Sequence, residues 1–525
     1  MNKKSYLWPL LTTGSLAIGI LLGGFITRNG APFSVKDDYG RVKLNKLIDL
    51  IEQEYVDNVN TDSIIDMTVN NILAQLDPHS TYISKSEYDE VQNVMKGSFV
   101  GIGINYHILN DTLAIVKPLP GGPSDKAGLK PGDRILYAEK VQLFNQGLTI
   151  DSIVNILKGN TGSTALLKVY RKSTNKVFDV KLTRGEVPLK SVDVAIKINN
   201  NTGYIKINRF SETTYKEFKA GLESLLKQNI TQLVLDLREN GGGYMEPAIQ
   251  IADDLLGNNE IIVKTVNKKG NVKVTKASSK GLYTDKKLYV LINENSASAS
   301  EIIAGAIQDN DRGIIIGRRS YGKGLVQREM FLGDGSAVRL TTARYYTPSG
   351  RSIQKPYIDG LDEYNSDLSN RFKSGELYSK DSIHLADSLK FKTLKGRTVF
   401  GGGGIVPDIF VPLKNKHGED AIQLLMKTSL VSYYVFEQIE KERSYLESLQ
   451  PTKIAELIYN NPKYFNELKT HLKQSGLTFN LDRHKSNIMF YLVAEYIHQL
   501  YDDNEFYNWT LQQDSMIQKI NTLKY

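Results

Sequence analysis

Three serines stand close together where an apolar stretch gives way to a helical pattern. Ser296, Ser298 and Ser300 follow that stretch, and the helical pattern continues beyond Glu301. A serine at such a junction lies at a helix N-terminus, where unpaired backbone N–H groups and the helix dipole stabilise developing negative charge. The position suits a nucleophilic hydroxyl and the oxyanion that its attack creates. The alternative is a structural capping box, with Ser298 as N-cap and Glu301 three residues later.

Lys323 is a candidate general base for such a serine. It stands between Gly322 and Gly324, where the backbone can approach other groups closely, and an apolar pair follows. To take a proton from a serine, its pKa must fall from about 10.4 toward 7 to 8, a shift worth about 4 kcal/mol that burial can supply. Gln327 lies four residues later, so in a strand both side chains share a face and the amide can orient the amine.

The same segment also fits most of a phosphate-binding loop. Gly317, Gly322 and Lys323 match the glycines and the lysine of that motif, and an apolar stretch precedes them. The motif then requires a Ser or Thr hydroxyl for magnesium, but the chain has Gly324. The residues after Gly324 also have the pattern of a strand, whereas the motif requires a helix. Nucleotide binding is therefore disfavoured.

A glycine-rich turn supplies candidate donors for an oxyanion. Gly241, Gly242 and Gly243 follow a buried-strand pattern and precede a helical one. The backbone N–H of Gly242 or Gly243, together with that of Ala299, would form an oxyanion hole. Taken alone, three glycines favour a simple tight turn, and it is the serine and lysine segments that favour the oxyanion hole.

Composition excludes several other chemistries. The 525 residues include no cysteine, which rules out disulfides, thiolate metal sites and a cysteine nucleophile. The seven histidines are scattered, and no pair has the spacing of a helical zinc site, so we expect neither a metal nor a cofactor. The net charge is +8, but the basic residues are interspersed with acidic ones, so nucleic acid is not an expected partner.

The pattern of elements divides the chain into five regions. We expect a signal anchor, a helical region, a small β-rich module, an α/β core and a helical C-terminal domain, at residues 1–30, 35–95, 96–187, 188–412 and 413–525. Strands alternating with helices in the fourth region predict a layered α/β core. Tyr6 to Ile26 carry no charge and follow two lysines, which predicts a membrane-spanning helix with the rest of the chain outside. In a bacterium with two membranes, this means a single-pass inner-membrane protein with its catalytic part in the periplasm.

Several long motifs, in the same order, resemble those of the C-terminal processing peptidases, the tail-specific serine proteases. They lie at residues 76–80, 236–243, 296–301, 321–327, 341–351 and 404–408. Gly241 is a departure, because proline is commoner there in the family. The resemblance covers about residues 40 to 412. The family's 25-residue spacing between serine and lysine selects Ser298 as the nucleophile, since 323 minus 25 is 298.

The resemblance also implies the fold and a second binding site. It implies an α/β protease core, layered as in the crotonase and Clp proteins, with an inserted-type β-rich PDZ domain and helical N- and C-terminal regions. Gly101, Ile102, Gly103 and Ile104 resemble the PDZ carboxylate-binding loop, and residues 127–135 resemble its most recognisable turn. Successive N–H groups of such a loop hold a terminal carboxylate while the peptide adds as a strand to the sheet edge. About fifty residues, 355–403, interrupt the family pattern and are expected to form a lid or a partner surface.

The sequence thus predicts a serine endopeptidase with a Ser298–Lys323 dyad, oriented by Gln327, that cleaves envelope proteins recognised by their C-terminal tails. Expected partners are substrates with free C-terminal tails, the membrane through the anchor, and an oligomer or an adaptor protein. The alternative is a non-catalytic PDZ scaffold that captures protein tails for a partner. A further hypothesis is that the PDZ domain gates activity, with a bound tail shifting a resting enzyme toward an active one.

Overall fold

The computed structural model describes the chain from residue 39 to residue 523, except for positions 359, 385, 414–421, 423–424 and 478–479. The described residues fall into two compact units, which meet in sequence between Ile72 and Leu73. The first unit contains α1 (Tyr39–Glu54) and most of α2 (Thr61–Ala74). The predicted signal anchor, residues 1–30, lies outside the described residues.

The second unit begins with a short strand and a helix, followed by a β-rich module. These elements are β1 (Thr81–Ile83), α3 (Lys85–Lys96), β2 (Ser98–Gly101), β3 (Ile104–Ile108), β4 (Leu113–Pro118), α4 (Pro123–Lys126), β5 (Arg134–Ala138), β6 (Val141–Gln142), α5 (Ile150–Leu157), β7 (Thr164–Arg171), β8 (Lys176–Thr183) and β9 (Gly185–Pro188). Five antiparallel strands form the main sheet of the module in the order β3-β4-β5-β7-β8, so β3 is an edge strand. Leu113, Ile115, Ile135 and Val169 are fully buried in its core.

The α/β core follows. Its elements are β10 (Val192–Lys197), β11 (Thr202–Ile207), α6 (Thr214–Lys227), β12 (Gln232–Asp236), α7 (Met245–Leu255), β13 (Ile261–Asn267), β14 (Val272–Lys276), β15 (Lys287–Ile292), α8 (Ala299–Asp309), β16 (Ile314–Gly317), β17 (Leu325–Phe331), β18 (Ala337–Tyr346), α9 (Leu361–Lys373), β19 (Lys390–Lys392), β20 (Thr398–Phe400) and β21 (Ile409–Phe410).

One sheet of the core has the order β10-β11-β12-β15-β16-β21, and all of its pairs are parallel except β10 with β11. Parallel strands are covered on both faces, which is why β11 is buried along its whole length. Helix α8 is buried at all eleven of its residues. The carboxyl ends of parallel strands meet at one edge, so the loops after β12, β15 and β16 converge there.

A second sheet carries the other half of the site. It has the order β1-β18-β13-β14, and β17 also pairs with β18. Strand β1 pairs with the start of β18 although the two are more than 250 residues apart in sequence, with Thr81 opposite Arg339 and Ile83 opposite Ala337. This pairing brings the segment just before β1 next to β17, the strand that carries Gln327.

The segment from 355 to 403 leaves the core and returns to the same place. At its base, Gly404 N–H donates to Ile353 O at 2.8 Å and Gly402 N–H donates to Ser352 O at 2.7 Å. Helix α9 and the hairpin β19–β20 lie between these points.

The C-terminal region is helical, as its pattern predicts. Its helices are α10 (Ser429–Glu447), α11 (Pro451–Asn460), α12 (Pro462–Gln474), α13 (Lys485–Leu500), α14 (Asp503–Thr510) and α15 (Ser515–Thr522). Most of them share one apolar core, but Met516, Ile517 and Ile520 of α15 pack against the α/β core, next to Tyr204 and Val234.

The expected inner-membrane, single-pass localisation with a periplasmic catalytic part is wrong on the structural finding. Across the part of the chain described here, no helix is both long enough and apolar enough to cross a bilayer. Tyr6 to Ile26, on which that expectation depended, lie outside the described residues.

Candidate active site

Ser298 occupies the junction between the loop that follows β15 and helix α8. Its backbone has φ 55° and ψ −110°, in the positive-φ region that non-glycine residues rarely adopt. Such a conformation costs about 1–3 kcal/mol and persists only where the surrounding structure enforces it. The side chain is half-buried and stands at the helix N-terminus, as the sequence pattern predicts.

The two neighbouring serines enforce that conformation. Ser296 Oγ donates to Leu237 O at 2.8 Å, and Ser300 Oγ donates to Asn240 O at 2.9 Å. Both serines are fully buried. Their hydroxyls therefore attach the segment to the glycine-rich turn after β12. Of the three serines, Ser298 is the one whose hydroxyl does not form such a bond to the turn.

Glu301 joins the candidate nucleophile to the candidate base. Its Oε2 accepts from Ser298 N–H at 2.9 Å and from Lys323 N–H at 2.8 Å. Its Oε1 accepts from Gly322 N–H at 2.7 Å and from Ser320 Oγ at 2.6 Å. The carboxyl is fully buried, and burial raises its pKa while the four hydrogen bonds oppose that rise. The capping-box glutamate of the sequence pattern is thus also the anchor of the lysine loop.

Lys323 is half-buried near the N-terminus of α8, and its amine donates to Gln327 Oε1 at 3.0 Å. Within the described part of the chain this amine makes no hydrogen bond to Ser298 Oγ. Burial lowers the pKa of Lys323, and the positive charge of Arg339 lowers the pKa further, whereas the carboxylates of Asp77 and Glu301 raise it. The direction is the one that a neutral lysine base requires.

His79 also lies at this site, although it is more than 200 residues from Lys323 in sequence. Gln327 Nε2 donates to His79 O, and His79 Nε2 lies 2.7 Å from Tyr364 Oη. Burial and the charge of Lys323 lower the pKa of His79 from 6.5 to about 4, so the imidazole is neutral at pH 7. Asp77 holds this segment to β18, because it accepts from Thr341 Oγ1 at 3.1 Å.

The glycine-rich turn faces the same helix N-terminus. A methyl group on Gly242 would lie 2.8 Å from Ser298 Cβ and 3.2 Å from Ala299 N, so the turn and the serine are in contact. Gly242 N–H donates to Asn240 Oδ1 at 2.9 Å. The N–H groups of Ala299 and Gly243, in contrast, have no acceptor among the described residues. Of the two glycines, Gly243 therefore has the N–H that is available to a ligand.

The predicted tail-binding loop joins β2 to β3 in the β-rich module. Gly101 pairs with Gly185, and Ile104 begins the edge strand β3. The carbonyls of Ile102 and Gly103 accept from Ser124 N–H at 2.8 Å and Leu119 N–H at 3.0 Å. Their own N–H groups find no acceptor in the described part of the chain. Two adjacent free N–H groups next to an open sheet edge can hold a carboxylate.

Comparison with known proteins places this architecture in a family. The model of peptidase family S41 matches residues 201–361, and that of the PDZ domain matches residues 100–182. A carboxy-terminal-processing protease of Bartonella bacilliformis is 34% identical over 339 residues, which are 64% of this chain and 76% of that protein. The chain belongs to peptidase family S41.

A further relative and one solved structure are similar over a large share of this peptidase. Carboxy-terminal processing protease CtpA of Bacillus subtilis is 28% identical over 452 residues, which cover 79% of this chain and 96% of that protein. The structure of a photosystem II D1 C-terminal processing protease has 24% identity and a TM-score of 0.37, covering 71% of this chain and 86% of that one. The predicted family, the α/β fold with a PDZ domain, and the serine-type peptidase class are confirmed.

Sequence reasoning missed part of the surroundings of the lysine in this peptidase. It assigned no role to His79 or to Tyr345, whose hydroxyl donates to Lys323 O at 2.8 Å and lies 3.2 Å from Ser298 O. The motif at residues 76–80 was a signal for His79, but only the pairing of β1 with β18 shows what that histidine approaches.

Proposed function

We propose that this peptidase hydrolyses peptide bonds with Ser298 as nucleophile and Lys323 as general base, and that its PDZ domain selects substrates by their C-terminal tails. The main observation in support of the dyad is that one oxygen of Glu301 accepts hydrogen bonds from the backbone N–H groups of both Ser298 and Lys323. Membership in a family of carboxy-terminal processing proteases supports the same reading.

The chemistry follows from the groups at the helix N-terminus. Neutral Lys323 takes the hydroxyl proton as Ser298 Oγ attacks the substrate carbonyl, and the protonated amine then returns the proton to the leaving nitrogen. Gln327 Oε1 accepts one N–H of the amine, which directs the lone pair elsewhere. The N–H groups of Ala299 and Gly243 hold the oxyanion. Water then hydrolyses the acyl-enzyme, with Lys323 again acting as the base.

Tail recognition is supported by the free N–H groups of Ile102 and Gly103 beside the edge strand β3. A carboxylate bound there would leave the peptide backbone to pair with β3. We expect a fluorescent peptide to bind with a free C-terminus and to lose most of its affinity when that terminus is an amide. Equal affinity for the two peptides would refute the assignment of this loop.

The dyad is tested with purified protein and a tailed protein substrate. Ser298→Ala and Lys323→Ala are expected to lose at least about a thousandfold in kcat/KM, as expected for members of one catalytic unit. Ser86→Ala and Lys373→Ala, at exposed positions, are the matched controls. Full activity in either of the first two variants excludes the dyad.

The alternative of a non-catalytic PDZ scaffold is tested with the same variants. A scaffold would bind the tail without cleaving the substrate, and a serine-reactive phosphonate would not label Ser298. The lowered pKa of Lys323 and the free N–H groups of Ala299 and Gly243 favour catalysis, because a scaffold needs none of them.

A further inference from the structure

The inserted segment 355–403 contacts the loop that carries the candidate base. From α9, the Arg371 guanidinium donates to Ser320 O at 2.9 Å and to Arg319 O at 3.2 Å. Arg371 is 3% exposed, so these bonds are shielded from water. The carbonyls that it holds lie three and four residues before Lys323. The insertion therefore packs directly behind the turn from which the lysine extends.

A second contact from α9 reaches the lysine side chain through two intermediates. Tyr364 Oη lies 2.7 Å from His79 Nε2, and the two rings meet edge to face with centroids 5.4 Å apart. His79 O accepts from Gln327 Nε2, and Gln327 Oε1 accepts from Lys323 Nζ. A continuous set of hydrogen bonds, joined through the backbone of His79, thus runs from the inserted helix to the amine.

This set of bonds has a fixed direction at the glutamine. A backbone carbonyl can only accept, so His79 O requires the NH2 group of the Gln327 amide. The amide oxygen must then face Lys323. There it accepts one N–H of the neutral amine and so orients the lone pair of that amine. If His79 moved, the amide would lose the partner that fixes its orientation.

Tyr364 is itself firmly placed. Lys355 Nζ lies 4.0 Å from the centre of the Tyr364 ring and 4.2 Å from that of Tyr321, and it donates to Tyr364 O at 3.0 Å. Lys355 Nζ also forms an ion pair with Asp367 Oδ2 at 3.2 Å. Tyr364 is 3% exposed. A side chain held in this way can position others, because little of its own motion remains.

We propose that Tyr364 is a positioning residue for Lys323, acting through His79 and Gln327, so that the inserted segment completes the active site. The inference rests on the proposed Ser298–Lys323 dyad. Among the described residues, no hydrogen bond joins Tyr364 to Ser298 or to the predicted oxyanion donors. Its loss should therefore lower kcat and leave KM unchanged.

A double-mutant cycle tests this role. Tyr364→Phe keeps the ring and its contact with Lys355 but removes the hydroxyl, and we expect kcat to fall about tenfold, because misplacement of a catalytic group is costly. In a Gln327→Ala background the same change should have no further effect, since the intermediate is already absent. Equal fold-losses in both backgrounds, or a wild-type kcat in Tyr364→Phe, would overturn the proposal.

Two further measurements keep the test decisive. Tyr357→Phe is the matched control, because it removes a hydroxyl of the same segment whose partner is Arg344, and we expect it to retain wild-type kcat. If Tyr364→Phe does not fold, His79→Gln replaces it in the cycle, since it removes the ring that Tyr364 contacts but keeps the backbone carbonyl. The rate of phosphonate labelling at Ser298 should follow kcat in every variant.

The outcomes separate the two proposals. Cleavage by Ser298→Ala or Lys323→Ala would exclude the dyad itself. Inactive dyad variants together with a fully active Tyr364→Phe enzyme would exclude only the positioning role.

Discussion

At the scale of single residues, the site is organised around one buried carboxylate. Glu301 accepts four hydrogen bonds, and three of them come from the backbone N–H groups of Ser298, Gly322 and Lys323. Backbone donors cannot rotate away as side chains do, so the spacing between the serine and lysine segments is set by the main chain.

The glycine turn offers a matched pair of substitutions. Gly242→Ala places a methyl group 2.8 Å from Ser298 Cβ and 2.9 Å from Ala297 O, at a φ of 103°. We expect kcat to fall about 10²–10³-fold, the loss typical of a damaged oxyanion hole. Gly241→Ala meets nothing within 4 Å and should remain close to wild type. Similar activities in the two variants would show that the turn does not support the oxyanion.

The charge of Arg339 should be visible in the pH dependence of cleavage. A lysine base acts only when it is neutral, so kcat/KM rises as pH rises through the pKa of Lys323. Arg339 lowers that pKa, and Arg339→Gln should therefore raise the pKa and move the acid limb to higher pH. Arg328→Gln, at an exposed position of β17, is the control and should leave the limb in place. A limb that moves to lower pH in Arg339→Gln would contradict this account.

The residue scale also shows what sequence can and cannot supply. The four-residue spacing predicts one strand with Lys323 and Gln327 on a common face. In the structure Lys323 lies two residues before β17, and the pairing register shifts between Val326 and Gln327, although their side chains are hydrogen-bonded. Ser298 could be separated from Ser296 and Ser300 only by resemblance, since the bonds that occupy the other two serines join segments about sixty residues apart. His79 could not be placed at all, because its position depends on the pairing of β1 with β18.

At the scale of elements, α8 is fixed at both ends. Glu301 holds its N-terminus, while at its C-terminus Asp309 Oδ1 pairs with Arg351 at 2.7 Å, with both side chains fully buried. The alternation of strands and helices predicted the layered core, because consecutive β and α segments pack locally. The sheet formed by β1, β13, β14, β17 and β18 did not follow from alternation, since its strands come from distant parts of the chain.

The buried ion pair at the end of α8 should be costly to break. Arg351→Met leaves the Asp309 carboxylate buried without its cation, and we expect a loss of about 3–5 kcal/mol in unfolding free energy. Chemical denaturation followed by tryptophan fluorescence and circular dichroism measures it. Lys168→Ala breaks an exposed pair with Asp179 and should change stability by less than about 1 kcal/mol. Comparable losses of unfolding free energy in the two variants would show that the buried Arg351–Asp309 pair is no more important for stability than an exposed pair.

At the scale of the whole molecule, the C-terminal helices hold the PDZ domain. Arg134 Nη2 pairs with Glu440 Oε2 of α10 at 3.0 Å, and the Arg134 guanidinium lies 5.4 Å from the centre of the Phe436 ring. Lys172 Nζ donates to Glu440 O at 3.1 Å. Lys117 Nζ donates to Tyr501 O at 2.6 Å. Any movement of the PDZ domain on tail binding must therefore break or carry these contacts.

Glu440→Ala should loosen this attachment without unfolding either partner. Removing one member of a shielded charge pair costs about 2–5 kcal/mol, so amide hydrogen exchange should become faster in residues 134–138 and 429–447. Exchange in the α/β core should not change. Glu456→Ala breaks an exposed pair with Lys453 and is the control. Unchanged exchange in both segments would mean that the charge pair does not hold the PDZ domain.

The base of the inserted segment bears on how this peptidase can vary and be engineered. Ile353 and Gly404 are hydrogen-bonded to each other, so the chain between them forms a closed loop. The entropic cost of closing such a loop grows only slowly with its length. Insertions of many lengths are therefore compatible with the same core. A chimera that exchanges residues 355–403 for a shorter connection should still fold. Its turnover would depend on whether the new connection can contact the His79 ring.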